Sequence, residues 1–352
     1  MNDLYDELRE LRLPLLLYGM GDGADKLLSV LERKGLRVSG VFCSDGFVRG
    51  KTFRGMPVTS YADARRAFGT FAVLVAFGSA RDEVLGNIDA IARETVLRVP
   101  DLPVAGETLF DGAFYEAHKD GFAAARALFE DERSREVFDT VLAAKLTGRP
   151  EYFMRAASTP EEDFRTLLHP GSYRRAADLG AYDGDSARFL LRLCPRLEEI
   201  TAFEPDEKTF SRLKRKTEGL PVVCLPYAAW DREETLGFAR GGSRGSGISA
   251  GGKEKTVTEV SGVPGDRIFI NKRVDFIKFD VEGAEKRALS GLKETVARDK
   301  PEMLISCYHR PEDLFELPLY IKERHPYYRL YLRRQKGVPA WDIGLYCTPV
   351  CG

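Results

Sequence analysis

The chain has 352 residues, of which 43% are hydrophobic and 30% are charged, and this length predicts two domains rather than one. Its 53 Lys and Arg residues nearly balance its 54 Asp and Glu residues, so no overall charge favours a nucleic acid or an anionic membrane as partner. The N-terminus lacks the positive charge of a signal peptide, and no apolar run reaches the ~20 residues of a membrane span. We therefore expect a cytoplasmic protein with a small-molecule ligand.

Residues 1–115 alternate short apolar runs with helical patterns. Strands are predicted in LPLLLYG, RVSGVFCSD, PVTS and FAVLVAFGS, and amphipathic segments separate most of them. Alternation of this kind is typical of parallel strands joined by crossover helices. The pattern predicts a small Rossmann-like α/β domain at the N-terminus.

A glycine turn follows the first predicted strand. Gly19, Gly21 and Gly23 precede a helix, and Asp45 follows about twenty residues later, which is the outline of a dinucleotide-binding unit. One hypothesis is therefore an NAD-dependent oxidoreductase that uses this turn. The spacing is not a strict GxGxxG, and Asp22 lies where a pyrophosphate would need to bind. An accessory role for this domain is therefore favoured.

Residues 116–170 change to helical periodicity. FAAARALFEDERSREVFDTVLAAKLTG carries apolar residues at helical spacing, and STPEEDFRTLL opens with a pattern typical of a helix N-terminus. This segment is predicted to be a helical connector.

Strands return in residues 171–352. They are predicted in RRAADLGAY, EEITAFEP, PVVCLPYAAW, DFIKFDVEGA, PEMLISCYH, YYRLYLRRQ and DIGLYCTP. The last two adjoin without room for a helix, which predicts an antiparallel hairpin at a sheet edge. The glycine-rich segment 237–252 is predicted to be a mobile loop that could close over a cleft.

A second glycine turn carries more chemical information than the first. Asp178 precedes it, and Gly180 and Gly184 let backbone N–H groups approach a ligand at a helix N-terminus. A carboxylate here would repel a pyrophosphate but would favour a cofactor with an amino group and a sulfonium. Glu204 ends the next strand, where it can accept hydrogen bonds from ribose hydroxyls. Both carboxylates suit S-adenosylmethionine.

The strand DFIKFD places another acidic pair at the same sheet edge. Ligands of open α/β sheets bind outside the carboxyl ends of the strands, so Asp280 and Glu282 should face the cleft that contains Asp178 and Glu204. Asp280 is a catalytic candidate. Since only Asp280 and Glu282 could begin a metal site, no metal is predicted.

His309 follows the next predicted strand and is the second catalytic candidate. An imidazole with a pKa near neutrality can take a proton from a hydroxyl as that hydroxyl attacks a methyl group. Glu285, in the helix after Glu282, is expected to be solvated or paired with Lys286 or Arg287.

With DLGAYDGDSARF, AFEPDEKTF, PYAAW, VDFIKFDVEGAEKRAL and PEMLISCYHRPEDLFELPLYI in this order, residues from about 130 to 350 resemble the FkbM-type S-adenosylmethionine-dependent methyltransferases. The resemblance implies a class I methyltransferase fold, a seven-stranded Rossmann-like sheet with an antiparallel last strand. It also implies O-methylation of a sugar, glycan or natural-product hydroxyl. The resemblance also implies cofactor-binding positions. The family's cofactor loop is matched by Asp178, Gly180, Ala181, Tyr182, Asp183 and Gly184, and its ribose-binding strand end by Glu204 and Pro205. The end of the third strand, beside the adenine, is matched by Ala228 and Ala229, and the acidic pair by Asp280 and Glu282.

Two alternatives to a methyltransferase stay open at this point. One is the oxidoreductase described above, and the other is a non-catalytic protein that binds a sugar nucleotide or a partner. The expected partner is a small-molecule or carbohydrate hydroxyl acceptor, with neither nucleic acid nor membrane, and assembly into a homo-oligomer is left open.

Overall fold

The computed structural model describes residues 3–44, 46, 48, 50–239, 247–248 and 257–350. Asp45 of the first glycine motif lies outside the described residues, as does most of the glycine-rich segment 237–252, which was predicted to be a mobile loop that could close over a cleft. Within the described ranges, no helix is both long enough and apolar enough to cross a membrane.

The first part of the chain folds as an α/β unit around a six-stranded sheet. Its strands are β1 (Leu15–Tyr18), β2 (Val38–Phe42), β3 (Thr52–Phe53), β4 (Met56–Thr59), β5 (Ala72–Val75) and β6 (Val96–Arg98). Its helices are α1 (Leu4–Glu10), α2 (Asp22–Arg33), α3 (Tyr61–Phe68) and α4 (Asp82–Glu94). The strand order is β3-β4-β2-β1-β5-β6, and only the β3–β4 pair is antiparallel. The Rossmann-like prediction for this segment is confirmed.

Four helices follow, and polar side chains explain where three of them begin. They are α5 (Gly112–Ala127), α6 (Glu132–Thr147), α7 (Glu151–Met154) and α8 (Pro160–Leu167). Asp111, Asp131 and Thr159 accept backbone N–H groups at the N-termini of α5, α6 and α8, which satisfies donors that a helix start leaves unpaired. Phe122 and Phe138 from α5 and α6 join the core of the second sheet. The predicted domain boundaries at residues 115 and 170 stay predictions.

The rest of the chain forms an eight-stranded sheet with a smaller sheet beside it. The strands are β7 (Ala157–Ser158), β8 (Arg175–Leu179), β9 (Glu199–Phe203), β10 (Val222–Leu225), β11 (Tyr227–Trp230), β12 (Glu234–Ala239), β13 (Gly247–Ile248), β14 (Val257–Pro264), β15 (Phe276–Phe279), β16 (Glu302–Ser306), β17 (Tyr328–Gln335) and β18 (Ile343–Pro349). The helices are α9 (Asp185–Leu193), α10 (Glu207–Lys216), α11 (Gly265–Ile268), α12 (Glu285–Ser290), α13 (Lys293–Asp299) and α14 (Asp313–Arg324).

The strand order of the large sheet is β10-β9-β8-β15-β16-β18-β17-β7. Strands β8, β9, β10, β15 and β16 are parallel, and β18 is antiparallel to both of its neighbours. The predicted seven-stranded sheet with an antiparallel last strand is therefore confirmed, and the two-residue β7 adds to its edge next to β17.

The central strands of this sheet are almost entirely buried, because helices cover both faces. In β8, Ala176 to Leu179 have at most 2% of their surface exposed, and Phe276, Ile277 and Phe279 of β15 have none. Parallel strands end at one edge of the sheet, so the residues that follow β8, β9, β15 and β16 gather there.

Candidate active site

The second glycine turn packs directly against the loop that follows β15. Gly180 has φ 82°, and a Cβ atom on it would lie 1.9 Å from the backbone oxygen of Asp280. The N–H of Asp280 also donates to the oxygen of Leu179 at 2.9 Å. Only glycine permits this approach, because any side chain would clash with the neighbouring backbone. The contact holds the cofactor-loop candidate and Asp280 side by side.

Asp178 lies beneath this turn rather than on its surface. Its side chain is fully buried and accepts a hydrogen bond from the Ser186 hydroxyl. Its Oδ1 atom has no hydrogen-bond donor among the described residues. Burial raises the pKa of Asp178, and the ammonium of Lys278 opposes that rise. Asp178 therefore influences the cleft through charge and through the side chains it touches.

Lys278 is a site residue that the sequence analysis missed. It pairs with Asp178 in the β8–β15 register, and its Nζ lies 2.9 Å from Asp280 Oδ2 and 3.7 Å from Asp178 Oδ1. Burial alone would lower the pKa of Lys278, but the two carboxylates raise it above its ordinary value. Asp280 directly follows β15 and comes two residues after Lys278, so strand alternation puts the two side chains on the same face, a signal that could have identified the lysine.

Glu204 follows β9 at the same edge, as predicted. Its side chain is 6% exposed, and its Oε1 accepts the N–H of Asp206 at 2.8 Å. Burial raises the pKa of Glu204 to about 7, and the charges of Asp206 and Asp178 add to this effect. Pro205 is half-buried beside it.

The remaining candidates of the cofactor loop differ in their surroundings. Ala181 is fully buried, whereas Tyr182 is 45% exposed, with φ 49° and the Arg212 guanidinium 5.3 Å from its ring centroid. Asp183 pairs with Lys216 of α10. A non-glycine residue with positive φ carries backbone strain that is often found at functional sites, so Tyr182 stays a candidate for cofactor binding. Asp183 stays a candidate too, but its side chain already has a partner in Lys216.

Two predicted site positions lie elsewhere than expected. Strand β10 ends at Leu225, so Ala228 and Ala229 are not at its end. They lie in β11, which pairs with β14 of the small sheet, and both are buried. The chain leaves the large sheet after β10, and a sequence pattern of continuous apolar residues does not show that exit.

His309 faces the acidic pair, and Glu285 holds it from the other side. His309 Nε2 lies 3.5 Å from Asp280 Oδ1 and 3.7 Å from Glu282 Oε2, while Nδ1 lies 2.8 Å from Glu285 Oε1. The prediction that Glu285 is solvated or paired with its neighbours is wrong, since it is 1% exposed. Glu285 begins α12, so its side chain points back to the turn after β15 and accepts the N–H of Val281 at 2.9 Å.

The surrounding carboxylates decide the charge of His309. Burial lowers its pKa, but Glu285, Asp280 and Glu282 together raise it to about 10. His309 therefore carries a proton at neutral pH. It can accept one from a hydroxyl only when positive charge near Asp280 and Glu282 lowers this pKa.

A segment from the first part of the chain closes one side of this site. The N–H of Ala105 donates to the backbone oxygen of His309 at 2.9 Å, and a Cβ on Gly283 would lie 2.7 Å from the Cβ of Ala105. Arg310 Nε donates to the Gly283 oxygen at 2.8 Å. Residues that follow β6 therefore pack on the acidic loop.

The structure thus brings Asp178, Lys278, Asp280, Glu282 and His309 into one cluster, and the charge of Asp178 links it to Glu204. In the part of the chain that the structure describes, no group of three or more His, Cys, Asp or Glu residues could hold a metal ion.

Comparison with known proteins identifies the segment that contains this cluster. Residues 178–336 match the family model described as the methyltransferase FkbM domain. No curated protein sequence matches the chain.

Similarity to solved structures extends beyond that segment. The methyltransferase FkbM from Methylobacillus flagellatus KT superposes with a TM-score of 0.72 at 22% identity, over 97% of this chain and 92% of that one. At this identity the likeness shows a shared fold over nearly the whole chain. A putative rRNA methylase from Clostridium thermocellum has a TM-score of 0.36 at 10% identity, over 54% of this chain and 93% of its own. The putative methyltransferase SMU.1697c from Streptococcus mutans, in complex with SAH, has a TM-score of 0.35 at 11% identity, over 54% and 95%.

Proposed function

Because residues 178–336 match the family model of the FkbM methyltransferase domain, we propose that the protein is an S-adenosylmethionine-dependent O-methyltransferase. Its acceptor is a hydroxyl of a small molecule, sugar, glycan or natural product. The proposal includes a division into an N-terminal accessory domain (1–115), a helical connector (116–170) and a methyltransferase domain (171–352), and a cytoplasmic location.

The observation that carries the proposal is the gathering of carboxyl groups at the end of adjacent parallel strands. Asp178 of β8 is buried with an Oδ1 atom that finds no donor in the described part of the chain, and Glu204 and Asp280 follow β9 and β15, the two strands that flank β8. Asp178, Asp280 and Glu282 outnumber the cations Lys278 and His309. Excess negative charge beside a glycine turn suits a ligand with an ammonium and a sulfonium.

These residues fit S-adenosylmethionine as the methyl donor. Glu204 would accept the ribose hydroxyls, and the glycine turn leaves room for the cofactor close to the backbone. Asp178 would act on the amino group through its charge, since its own side chain is fully buried. When bound, S-adenosylmethionine supplies an electrophilic methyl group on a sulfonium sulfur.

The chain itself would orient the acceptor and receive its proton. In-line transfer needs the hydroxyl oxygen held about 3 Å from the methyl carbon, with water excluded. As the O–CH₃ bond forms and the bond between the methyl group and sulfur breaks, the hydroxyl proton would pass to Nε2 of His309. Nε2 would first release its own proton to solvent, which positive charge near Asp280 and Glu282 favours because it competes with the imidazolium for both carboxylates.

Binding and turnover experiments test this proposal directly. Calorimetry should detect S-adenosylmethionine binding, and binding should weaken in Asp178→Ala and Glu204→Ala but not in the exposed control Asp120→Ala. A panel of sugar nucleotides, glycans and other hydroxylated acceptors is then assayed for S-adenosylhomocysteine. His309→Ala should retain cofactor binding and lose turnover. Equal affinity in wild type and both cleft variants, or NAD binding in place of S-adenosylmethionine, would refute the assignment.

A further inference from the structure

We propose that Glu285 is a positioning residue that holds the His309 imidazole with Nε2 directed into the cleft. This inference rests on the proposed function, because it concerns the group that would receive the proton of the acceptor. Glu285 lies outside the predicted set of site residues and was expected on the surface.

Glu285 joins two elements on which the site depends. Its Oε1 atom lies 2.8 Å from His309 Nδ1 and accepts the N–H of Val281 at 2.9 Å. It thereby connects the first turn of α12, the loop after β15, and His309, the third residue after β16. The side chains of Glu285 and His309 are both about 1% exposed or less, so water does not compete for this hydrogen bond.

The contact selects one orientation of the ring. A carboxylate only accepts hydrogen bonds, so Nδ1 must carry the proton of this contact. Nε2 is then the ring atom that faces Asp280 and Glu282, at 3.5 and 3.7 Å. The backbone of His309 is held as well, because its oxygen accepts the N–H of Ala105. Ring and backbone are thus held independently.

The other charged groups around His309 do not duplicate this role. Asp280 and Glu282, from the loop after β15, face Nε2, and Lys278 of β15 contacts Asp280. Asp313 of α14 is buried, and burial and the charge of Glu285 raise the pKa of its carboxyl. Its Oδ2 accepts the N–H of Arg310 at 2.9 Å, whereas Glu285 Oε1 lies 2.8 Å from His309 Nδ1, so Glu285 is the group that holds Nδ1.

Titration of the histidines tests the inference without an acceptor. The chain has four histidines, and the NMR signal that His309→Ala removes identifies His309. Its pKa should fall by about one pH unit or more in Glu285→Gln, because a neutral amide replaces a neighbouring charge. Glu302→Gln is the matched control, since Glu302 contacts His169 Nδ1 at 2.7 Å at the opposite end of β16. It should leave the pKa of His309 unchanged.

Kinetics separate positioning from a merely structural role. On the plateau of each pH profile, where His309 has lost its Nε2 proton in both proteins, Glu285→Gln should lower kcat about tenfold or more, a part of the 10²–10⁴ that a positioned base contributes, with cofactor affinity changed less than twofold. The rise of kcat with pH should move to lower pH, since the pKa of His309 falls. Adding His309→Ala to Glu285→Gln should cause no further loss beyond that of His309→Ala alone, because both act on one group.

Each outcome decides a separate claim. An unchanged His309 titration in Glu285→Gln, or a kcat and pH profile equal to wild type, overturns the positioning role. If Glu285→Gln does not fold, Glu285→Asp retains the charge but shortens the reach, and it should keep the His309 pKa above 7 while lowering kcat. An Asp variant with wild-type kcat overturns the inference. Failure of the wild type to methylate any acceptor refutes the proposed function instead, while the NMR titration still decides whether Glu285 controls His309.

Discussion

Glu204→Gln should stabilise the protein while weakening its binding of S-adenosylmethionine. Burial of this side chain, which is 6% exposed, raises the pKa of Glu204 from its ordinary value of 4.5 to about 7. Hydrogen bonds from the N–H groups of Asp206 and Tyr182 oppose the rise but do not cancel it. Glutamine keeps the shape and an oxygen for the Asp206 N–H, and removes the charge.

The sign and size of the effect follow from linkage. A carboxyl whose pKa is raised in the folded state binds its proton more tightly there than in the unfolded chain, so ionisation costs stability as pH rises. A rise from 4.5 to about 7 corresponds to roughly 3 kcal/mol at 1.36 kcal/mol per pH unit. The loss of stability develops between pH 4.5 and about pH 7 and is constant above that range. Glu204→Gln should therefore be more stable than wild type by about 3 kcal/mol at pH 8.5 and by about half as much at pH 5.5.

Urea unfolding at both pH values measures this difference. Glu32→Gln is the control, because Glu32 is an exposed carboxylate of α2 and its replacement should change the free energy of unfolding by less than about 0.5 kcal/mol. Calorimetry at pH 8.5 should show weaker S-adenosylmethionine binding in Glu204→Gln. A stability gain that is the same at pH 5.5 and pH 8.5, or a loss at pH 8.5, would refute the reasoning.

Two further substitutions test how the site is held together. Lys278→Met leaves Asp178 and Asp280 without their shared cation. In urea unfolding it should lower the free energy of unfolding by about 3 kcal/mol at pH 8 and by less at pH 5. An equal loss of stability at both pH values would contradict this. Gly180→Ala combines φ 82° with a Cβ 1.9 Å from the Asp280 oxygen, whereas Gly219→Ala has φ 76° and open space. Thermal unfolding should therefore show a larger loss of stability for Gly180→Ala than for Gly219→Ala, in which backbone strain alone costs about 1 kcal/mol. Equal losses of stability in the two variants would show that the contact of Gly180 with Asp280 is not tight.

The class of fold and the edge where the site lies were determined by the sequence itself. Apolar runs such as DFIKF and EEITAF must be buried, and the helical patterns between them require parallel strands. Parallel strands end at one edge, so the residues after each run, including Glu204, Asp280 and His309, had to gather there. Local patterns sufficed because they depend only on residues close together in the chain.

The partners of those residues were decided by the tertiary structure. Lys278 lies opposite Asp178 because β8 and β15 are adjacent in the sheet. The contact of Gly180 with Asp280 joins loops one hundred residues apart in sequence. Glu285 was assigned to its neighbours in sequence, yet the direction of its helix turns it inward to His309. A sequence pattern specifies which face of an element is apolar. Packing against distant segments sets how a short helix is rotated against the sheet. It therefore also decides which polar side chain of that helix enters the core.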